Sequence, residues 1–320
     1  MNIIDLHCDI VLSCYMGKKN LRTYDGHINL EKLKEGGSLA QCFALFIPPH
    51  EYVEKQVGHP VDPWDLYKQL LNCYREVIAD VSDVMRPANT VKQILDNRRD
   101  GYSSAILTIE DAVELDGKIE RVGEVYGDGV KMIALTWNFE NSVGFPNSRD
   151  PEEHLRRGLK PFGFEVVERM NDLGMVVDVS HLSEAGFYDV AEHSRKPFAA
   201  SHSCARALKD HPRNLTDDQL KVIGDTGSVV GVNFYDQFLN DRNGYTETED
   251  IVRHILYIRD HAGIESVALG SDFDGIESTL EFKDFSGFPQ ILSALEKHLT
   301  AEEIDKISYK NAMRLFASQE

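Results

Sequence analysis

The sequence predicts an α/β fold in which eight parallel strands close into a (β/α)8 TIM barrel, forming one domain over residues 1–320. Three observations carry this expectation. Eight short runs rich in Val, Ile, Leu and Ala recur along the chain. Longer stretches with apolar residues at helical spacing lie between most of them. No low-complexity linker or abrupt change of composition divides the 320 residues, a length within the range of one such barrel with insertions.

The runs are NIIDLHCD (2–9), LAQCFALFI (39–47), SAILTIED (104–111), VKMIALTW (130–137), MVVDVSH (175–181), FAASHS (198–203), SVVGVNFY (228–235) and SVALGSDFD (266–274). Each is short and nearly continuously apolar, as expected of parallel strands covered on both faces. The helical stretches include 63–81, 162–174 ending on a C-cap glycine, 182–194 with Ser183 as N-cap, and 248–263, again finishing on glycine. The segment 48–63 reads as a long loop over the strand ends, and the last ~20 residues as a terminal helix pair. A doubly wound open sheet is the alternative topology, since strand count alone does not establish closure.

Composition narrows the function classes. Hydrophobic residues make up 42% and charged residues 27% of the chain, which is ordinary for a globular protein. The net charge of -19 excludes a nucleic-acid surface, which needs clustered Lys and Arg, and gives no attraction to an anionic membrane. The five cysteines are irregularly spaced without a CxxC pair, so neither a disulfide framework nor a thiolate zinc ribbon is expected. A reducing, cytoplasmic location follows as the expectation, because the start MNIIDLHCDI lacks a signal-peptide pattern and no apolar stretch reaches a membrane span. The end NAMRLFASQE likewise carries no lipid-anchor signal.

Chemistry collects at the ends of the runs. His7 and Asp9 are two apart in the first run, so they project together from a strand. Cys8 points the other way, as a small core residue. The third run ends at Glu110, the fifth at His181, the sixth at His202, and the eighth carries Asp272. Three imidazoles and three carboxylates at the C-terminal ends of apolar strands are not expected without a partner or metal. Imidazole with carboxylate suits zinc and other divalent transition metals. Six groups exceed one tetrahedral site and fit a binuclear site with a bridging carboxylate and a bridging hydroxide, an arrangement for metal-assisted hydrolysis.

The first His-x-Asp, then Glu110, VDVSH, ASHS, HPRN and GSDFDG, taken in that order, resemble the renal or membrane dipeptidase family of metallopeptidases, and the resemblance covers nearly the whole chain. It implies that two Zn2+ are bound per chain, one by His7 and Asp9 and one by His181 and His202, with Glu110 bridging them. It implies that Arg213 holds the C-terminal carboxylate of a dipeptide substrate, a role suited to a guanidinium fork. Asp272 becomes the acid/base that handles the protons of the attacking water and the leaving amine. Asn233 and Tyr235 resemble pocket-lining residues of strand seven, while Asp274 reads as a turn or supporting residue. Homodimers occur in the family, so a dimer is implied by resemblance alone. One departure stands out. Animal members carry a His in a Leu-Thr-His run at the end of strand four, where this chain has Leu135-Thr136-Trp137-Asn138. The Trp137 indole N–H, or Asn138, is the available replacement on the substrate.

Two other readings remain open on sequence. One is a binuclear amidohydrolase acting on a non-peptide amide or ester. Such enzymes often bridge their metals with a carboxylated Lys at the end of strand four, whereas Lys131 lies near that strand's beginning. The other is a metal-binding relative with weak or no peptidase activity, which the intact ligand set opposes and Trp137 favours.

Overall fold

The computed structural model describes residues 2–17, 19–48, 54 and 60–320. Eight strands form the barrel: β1 Ile3–Asp5, β2 Ser38–Phe46, β3 Ser103–Glu110, β4 Val130–Ala134, β5 Val176–Asp178, β6 Ala199–Ser203, β7 Val229–Val232 and β8 Val267–Leu269. Each pairs in parallel with its sequence neighbour, and β8 returns to β1 with Leu269 opposite Asp5. The sheet is therefore closed, which excludes the doubly wound alternative.

The apolar runs form strands here because both faces are covered. One cluster of buried side chains takes Ile4, Ala40, Ile106, Met132, Val176, Ala199, Val229 and Ala268, one from each strand, and fills the barrel interior. Ala312, Leu315 and Phe316 from the end of the chain plug it at the N-terminal ends of the strands. A larger cluster, including Phe43, Leu107, Val177 and Leu269, packs the outer barrel face against the helices.

The helices begin and end where their caps dictate. Pro63–Asp80 starts at Asp62, whose carboxylate accepts from the N–H groups of Trp64 and Asp65, with Pro63 in the first turn. Pro161–Leu173 stops at Gly174, which takes a left-handed conformation with φ 73°. Glu184–His193 is capped by Ser183, and Thr248–Ala262 is followed by Gly263.

Several expectations need adjustment. The final residues are not a helix pair: Ala301–Asp305, the π turn Lys306–Lys310 and Asn311–Ala317 run on continuously. No Gly or Pro interrupts that stretch, and the π turn keeps Ile307, Leu315 and Phe316 all buried. Most of the loop expected at 48–63 lies outside the described residues. The short strands Met85–Pro87, Tyr245–Thr246 and Thr279–Leu280 were not foreseen. Met85–Pro87 flanks the start of β3 as an edge strand, where a proline is tolerated. Among the described residues, no helix is long and apolar enough to cross a membrane.

Candidate metal centre

The C-terminal ends of β1, β3, β5, β6 and β8 bring together the six groups expected from the sequence. Their positions along the strands differ from a simple alternation. Ladder pairing of β1 ends at Asp5, so His7 and Asp9 lie in the extended stretch beyond it, tied down by the Cys8–Phe273 bridge. Glu110 is the last residue of β3, and His202 lies within β6. His181 and Asp272 sit three residues past the last paired residues of β5 and β8, in left-handed turns with φ 67° and 63°. Such backbone costs about 1–3 kcal/mol per residue and persists where surrounding bonds hold it. His181 is held through its carbonyl, which accepts from Asn147 N at 2.7 Å and Asn147 Nδ2 at 3.1 Å.

Glu110 divides its two oxygens. Oε2 lies 3.5 Å from His7 Nε2, while Oε1 lies 3.0 Å from His181 Nε2 and 3.6 Å from His202 Nε2. His7 Nε2 is also 3.4 Å from Asp9 Oδ2 and 4.0 Å from Asp272 Oδ1. His7, Glu110 and His202 form one group whose ligand atoms are mutually within 4.8 Å, and His7, Asp9 and Asp272 form another. His7 thus stands between the two halves, its ring stacked on His202 with centroids 3.9 Å apart.

The residues present fit a pair of cations. His7 Nε2 and Asp9 Oδ1 are buried atoms without a hydrogen-bond partner among the described residues. An unsatisfied buried polar group costs roughly 1–3 kcal/mol, more when charged, and a divalent cation is the partner that such lone pairs accept. The electrostatics agree. Burial, reinforced by Arg213, pushes His181 down to about 4. Burial and the neighbouring His7 hold His202 low as well, which keeps both imidazoles in the neutral form that binds metal. Burial also disfavours charge on His7, but Asp9 and Glu110 outweigh it and raise its pKa. Burial pushes Asp9 and Asp272 up, with repulsion from Glu110 adding to both. Burial also disfavours charge on Glu110, but His7 and the bonds from His181 and His202 outweigh it and hold its carboxyl well below the usual carboxylate range.

A cleft of about 390 Å³ opens over these groups, lined by Asp9, Glu110, His181, Asp272, Trp137, Asn138 and Tyr235, with Phe46, Phe238 and Ile276 among the apolar walls. The half-buried Trp137 is a wall of that cleft rather than core. Its ring centroid lies 4.9 Å from Phe46, 5.8 Å from the exposed Phe139 and 6.3 Å from His181.

Three residues expected to contact substrate also bond within the protein. Asn138 reaches the cleft, and its Oδ1 is 3.0 Å from His181 Nδ1, so it also braces that ring. Asn233 is fully buried; its Nδ2 donates to Asp272 Oδ2 at 2.8 Å, and its Oδ1 accepts from Tyr235 N at 2.6 Å, so it orients Asp272 from behind. Arg213 is buried beside β6, donating from Nη2 to the His202 carbonyl at 2.9 Å and from Nη1 to Ser203 Oγ at 3.2 Å. Its guanidinium carbon lies 5.3 Å from the centre of the Phe238 ring, and Nε has no partner. Asp274 accepts from His27 N and Ile28 N, the turn role expected of it. Lys131 donates to the Gly174 carbonyl at 2.9 Å near the start of β4, at the end of the barrel away from the cleft, so it cannot serve as a bridging ligand.

Asp5, Asp178, Ser201 and Ser271 join the surroundings of the site without being expected there. All four are buried within two residues of a site group or bonded to one that is. Their signal was a polar residue inside an otherwise apolar strand, which needs a buried partner.

The membrane dipeptidase family, peptidase family M19, matches residues 1–320. The uncharacterized protein in the pqqA 5′ region of Klebsiella pneumoniae is 37% identical over 266 residues, covering 80% of this chain and 97% of that one. An uncharacterized dipeptidase of Schizosaccharomyces pombe is 30% identical over 301 residues, covering 92% and 72%. Among solved structures, a metallo peptidase from Rhodobacter sphaeroides, liganded with a phosphinate mimic of the dipeptide L-Ala-D-Ala, superposes with a TM-score of 0.92. It is 24% identical over 100% of this chain and 99% of that one, and the likeness is one of fold.

Proposed function

Because the chain belongs to the membrane dipeptidase family, we propose that it is a metallo-dipeptidase that hydrolyses the peptide bond of dipeptides with two divalent ions, zinc by the character of its ligands. The observation that carries the reading is the split of the Glu110 carboxylate between His7 on one side and His181 with His202 on the other. A bridging carboxylate is what a two-ion site requires.

His7 and Asp9 would hold one ion, His181 and His202 the other, and Glu110 both. Bound there, the ions supply a nucleophilic water at neutral pH and polarise the scissile carbonyl. The side chains do the rest. Asp272, with Oδ2 fixed by Asn233, keeps Oδ1 facing the ligands, where it takes a proton from the attacking water and returns it to the departing amine nitrogen. Arg213 Nε has no hydrogen-bond partner among the described residues, and its guanidinium acts electrostatically on Asp272 and Glu110, which suits it to the terminal carboxylate of a dipeptide. Trp137, Phe46, Tyr235 and Phe238 wall the cleft to a short substrate and exclude bulk water.

A dipeptide panel assayed with purified protein before chelation, after it, and after zinc readdition tests the reading. Cleavage should vanish on chelation and return with close to two ions per chain. Undiminished cleavage by stripped protein would overturn the metal mechanism. Turnover of simple amides or esters with no dipeptide cleaved would overturn the substrate.

A further inference from the structure

Two buried Asp–Ser pairs occupy equivalent places in the barrel. Asp178 ends β5 and stands opposite Ala199 of β6; two residues on, Ser201 precedes His202. Asp5 ends β1 and stands opposite Leu269 of β8; two residues on, Ser271 precedes Asp272. The bonds match as well. Asp178 Oδ1 accepts from Ser201 N at 2.9 Å, and its Oδ2 from Ser201 Oγ. Asp5 Oδ1 accepts from Ser271 N at 2.8 Å, and its Oδ2 from Ser271 Oγ at 2.6 Å. Both pairs pin neighbouring strands at the level of the site.

They differ in what the serine hydroxyl meets next. Ser271 Oγ meets only backbone, accepting from Phe273 N at 3.2 Å and lying 3.3 Å from the His7 carbonyl. Ser201 Oγ lies 2.7 Å from His202 Nδ1. Its single hydrogen is committed to Asp178, since a carboxylate oxygen offers none. Ser201 Oγ also lies 3.3 Å from Ser180 Oγ, which accepts from His202 N at 3.1 Å; with its own hydrogen on Asp178, Ser201 Oγ meets His202 Nδ1 as an acceptor, so the hydrogen of the neutral ring sits on Nδ1. The lone pair is left on Nε2, the atom turned toward Glu110 and His181.

We propose that Asp178 and Ser201 are positioning residues that set the tautomer of His202, leaving Nε2 bare for a metal ion, and that Asp5 with Ser271 is the same device without a ring to orient. The metal part rests on the proposed function; the tautomer part does not. Asp178→Asn reverses the chain of bonds. Asp178 Oδ1 serves two backbone N–H groups, Ser180 and Ser201, so an amide oxygen belongs there and the NH2 falls at Oδ2. That NH2 donates to Ser201 Oγ, whose hydrogen turns to His202 Nδ1 and drives the ring hydrogen to Nε2.

Long-range proton–nitrogen correlation spectra of metal-free, 15N-histidine-labelled protein read the tautomer directly, with His202 assigned by its loss in His202→Gln. Wild type should show the Nδ1–H form and Asp178→Asn the Nε2–H form. Ser201→Ala should show a mixture, Ser201→Thr should restore the wild-type pattern, and Ser271→Ala should leave His202 unchanged. Zinc titration against a chelator should give roughly 10- to 100-fold weaker binding in Ser201→Ala and Asp178→Asn than in wild type. An Nδ1–H ring in Asp178→Asn, or an equal response of His202 to Ser271→Ala, overturns the proposal. If Asp178→Asn does not fold, the Ser201→Ala and Ser201→Thr pair decides: an unaltered ring in Ser201→Ala sinks it. Correct tautomers with unchanged zinc binding in every variant would remove the metal role.

Discussion

At the residue scale, the cleft sorts its polar groups by what holds them. Asp272 is held through Oδ2 by Asn233 and is assigned to proton transfer rather than to holding an ion, so Asp272→Asn should keep its metals and lose turnover. General acid–base groups contribute typically 10²–10⁴-fold, and kcat should fall by an amount on that order with ion content per chain unchanged. Arg213→Ala acts twice. It should raise KM, and because the guanidinium also bonds the His202 carbonyl, it should lower Tm. Replacing the substrate carboxylate by an amide should then cost the wild type far more than the variant; equal rates for both substrates with wild type would rule out the clamp. Trp137 gives a prediction of opposite signs. Its ring continues an aromatic wall with Phe46 and Phe139, so Trp137→His exchanges apolar surface for a hydrogen-bond donor. Small dipeptides should react faster, toward the ~10²-fold that one oxyanion donor supplies, while dipeptides with an aromatic side chain should show a higher KM. Steady-state kinetics on both classes check it.

At the scale of elements, closeness between strands constrains the site as firmly as its ligands do. A Cβ at Gly270 would lie 1.8 Å from the Ser201 carbonyl oxygen, and one at Gly231 would lie 2.0 Å from the same atom. Neither clash is with a movable side chain. Gly270→Ala should therefore cost at least the ~1–3 kcal/mol of an overpacked core and weaken zinc binding through β6, measured by denaturant unfolding and chelator competition. Wild-type stability in that variant would contradict the close approach. The strands that make this geometry were legible as apolar runs, and all eight stand where the runs stand. Their ends were less so. Alternation predicts that residues two apart share a face, which placed His7 with Asp9, but it carries no information about turns such as those at His181 and Asp272. Pairings as short as Tyr245–Thr246 with Thr279–Leu280 leave no periodic signal. Residue types pointed to the six groups that converge on the cleft; the bonds that Asn138, Asn233 and Arg213 also make within the protein depend on side-chain direction, which a single sequence does not contain.

For the whole molecule, the proposed ligands come from four strands, β1, β3, β5 and β6, so ion binding there would brace the closed barrel. Folded protein should gain about 2.7 kcal/mol when free zinc exceeds its dissociation constant 100-fold, raising Tm on the order of 5 °C over chelated protein, with a dependence on zinc concentration. A Tm insensitive to zinc would argue against ligands spread around the barrel. The closure of β1 on β8 also has a meaning in time. His7 and Asp9 are made well before their neighbour Asp272 and the plug at Phe316. At a synthesis rate of ~5–20 residues per second, the earliest ligands wait some tens of seconds for the latest. A chain synthesised only as far as Glu110 holds His7 and Asp9 without His181 and His202, so the proposed two-ion set is complete only once β6 has emerged.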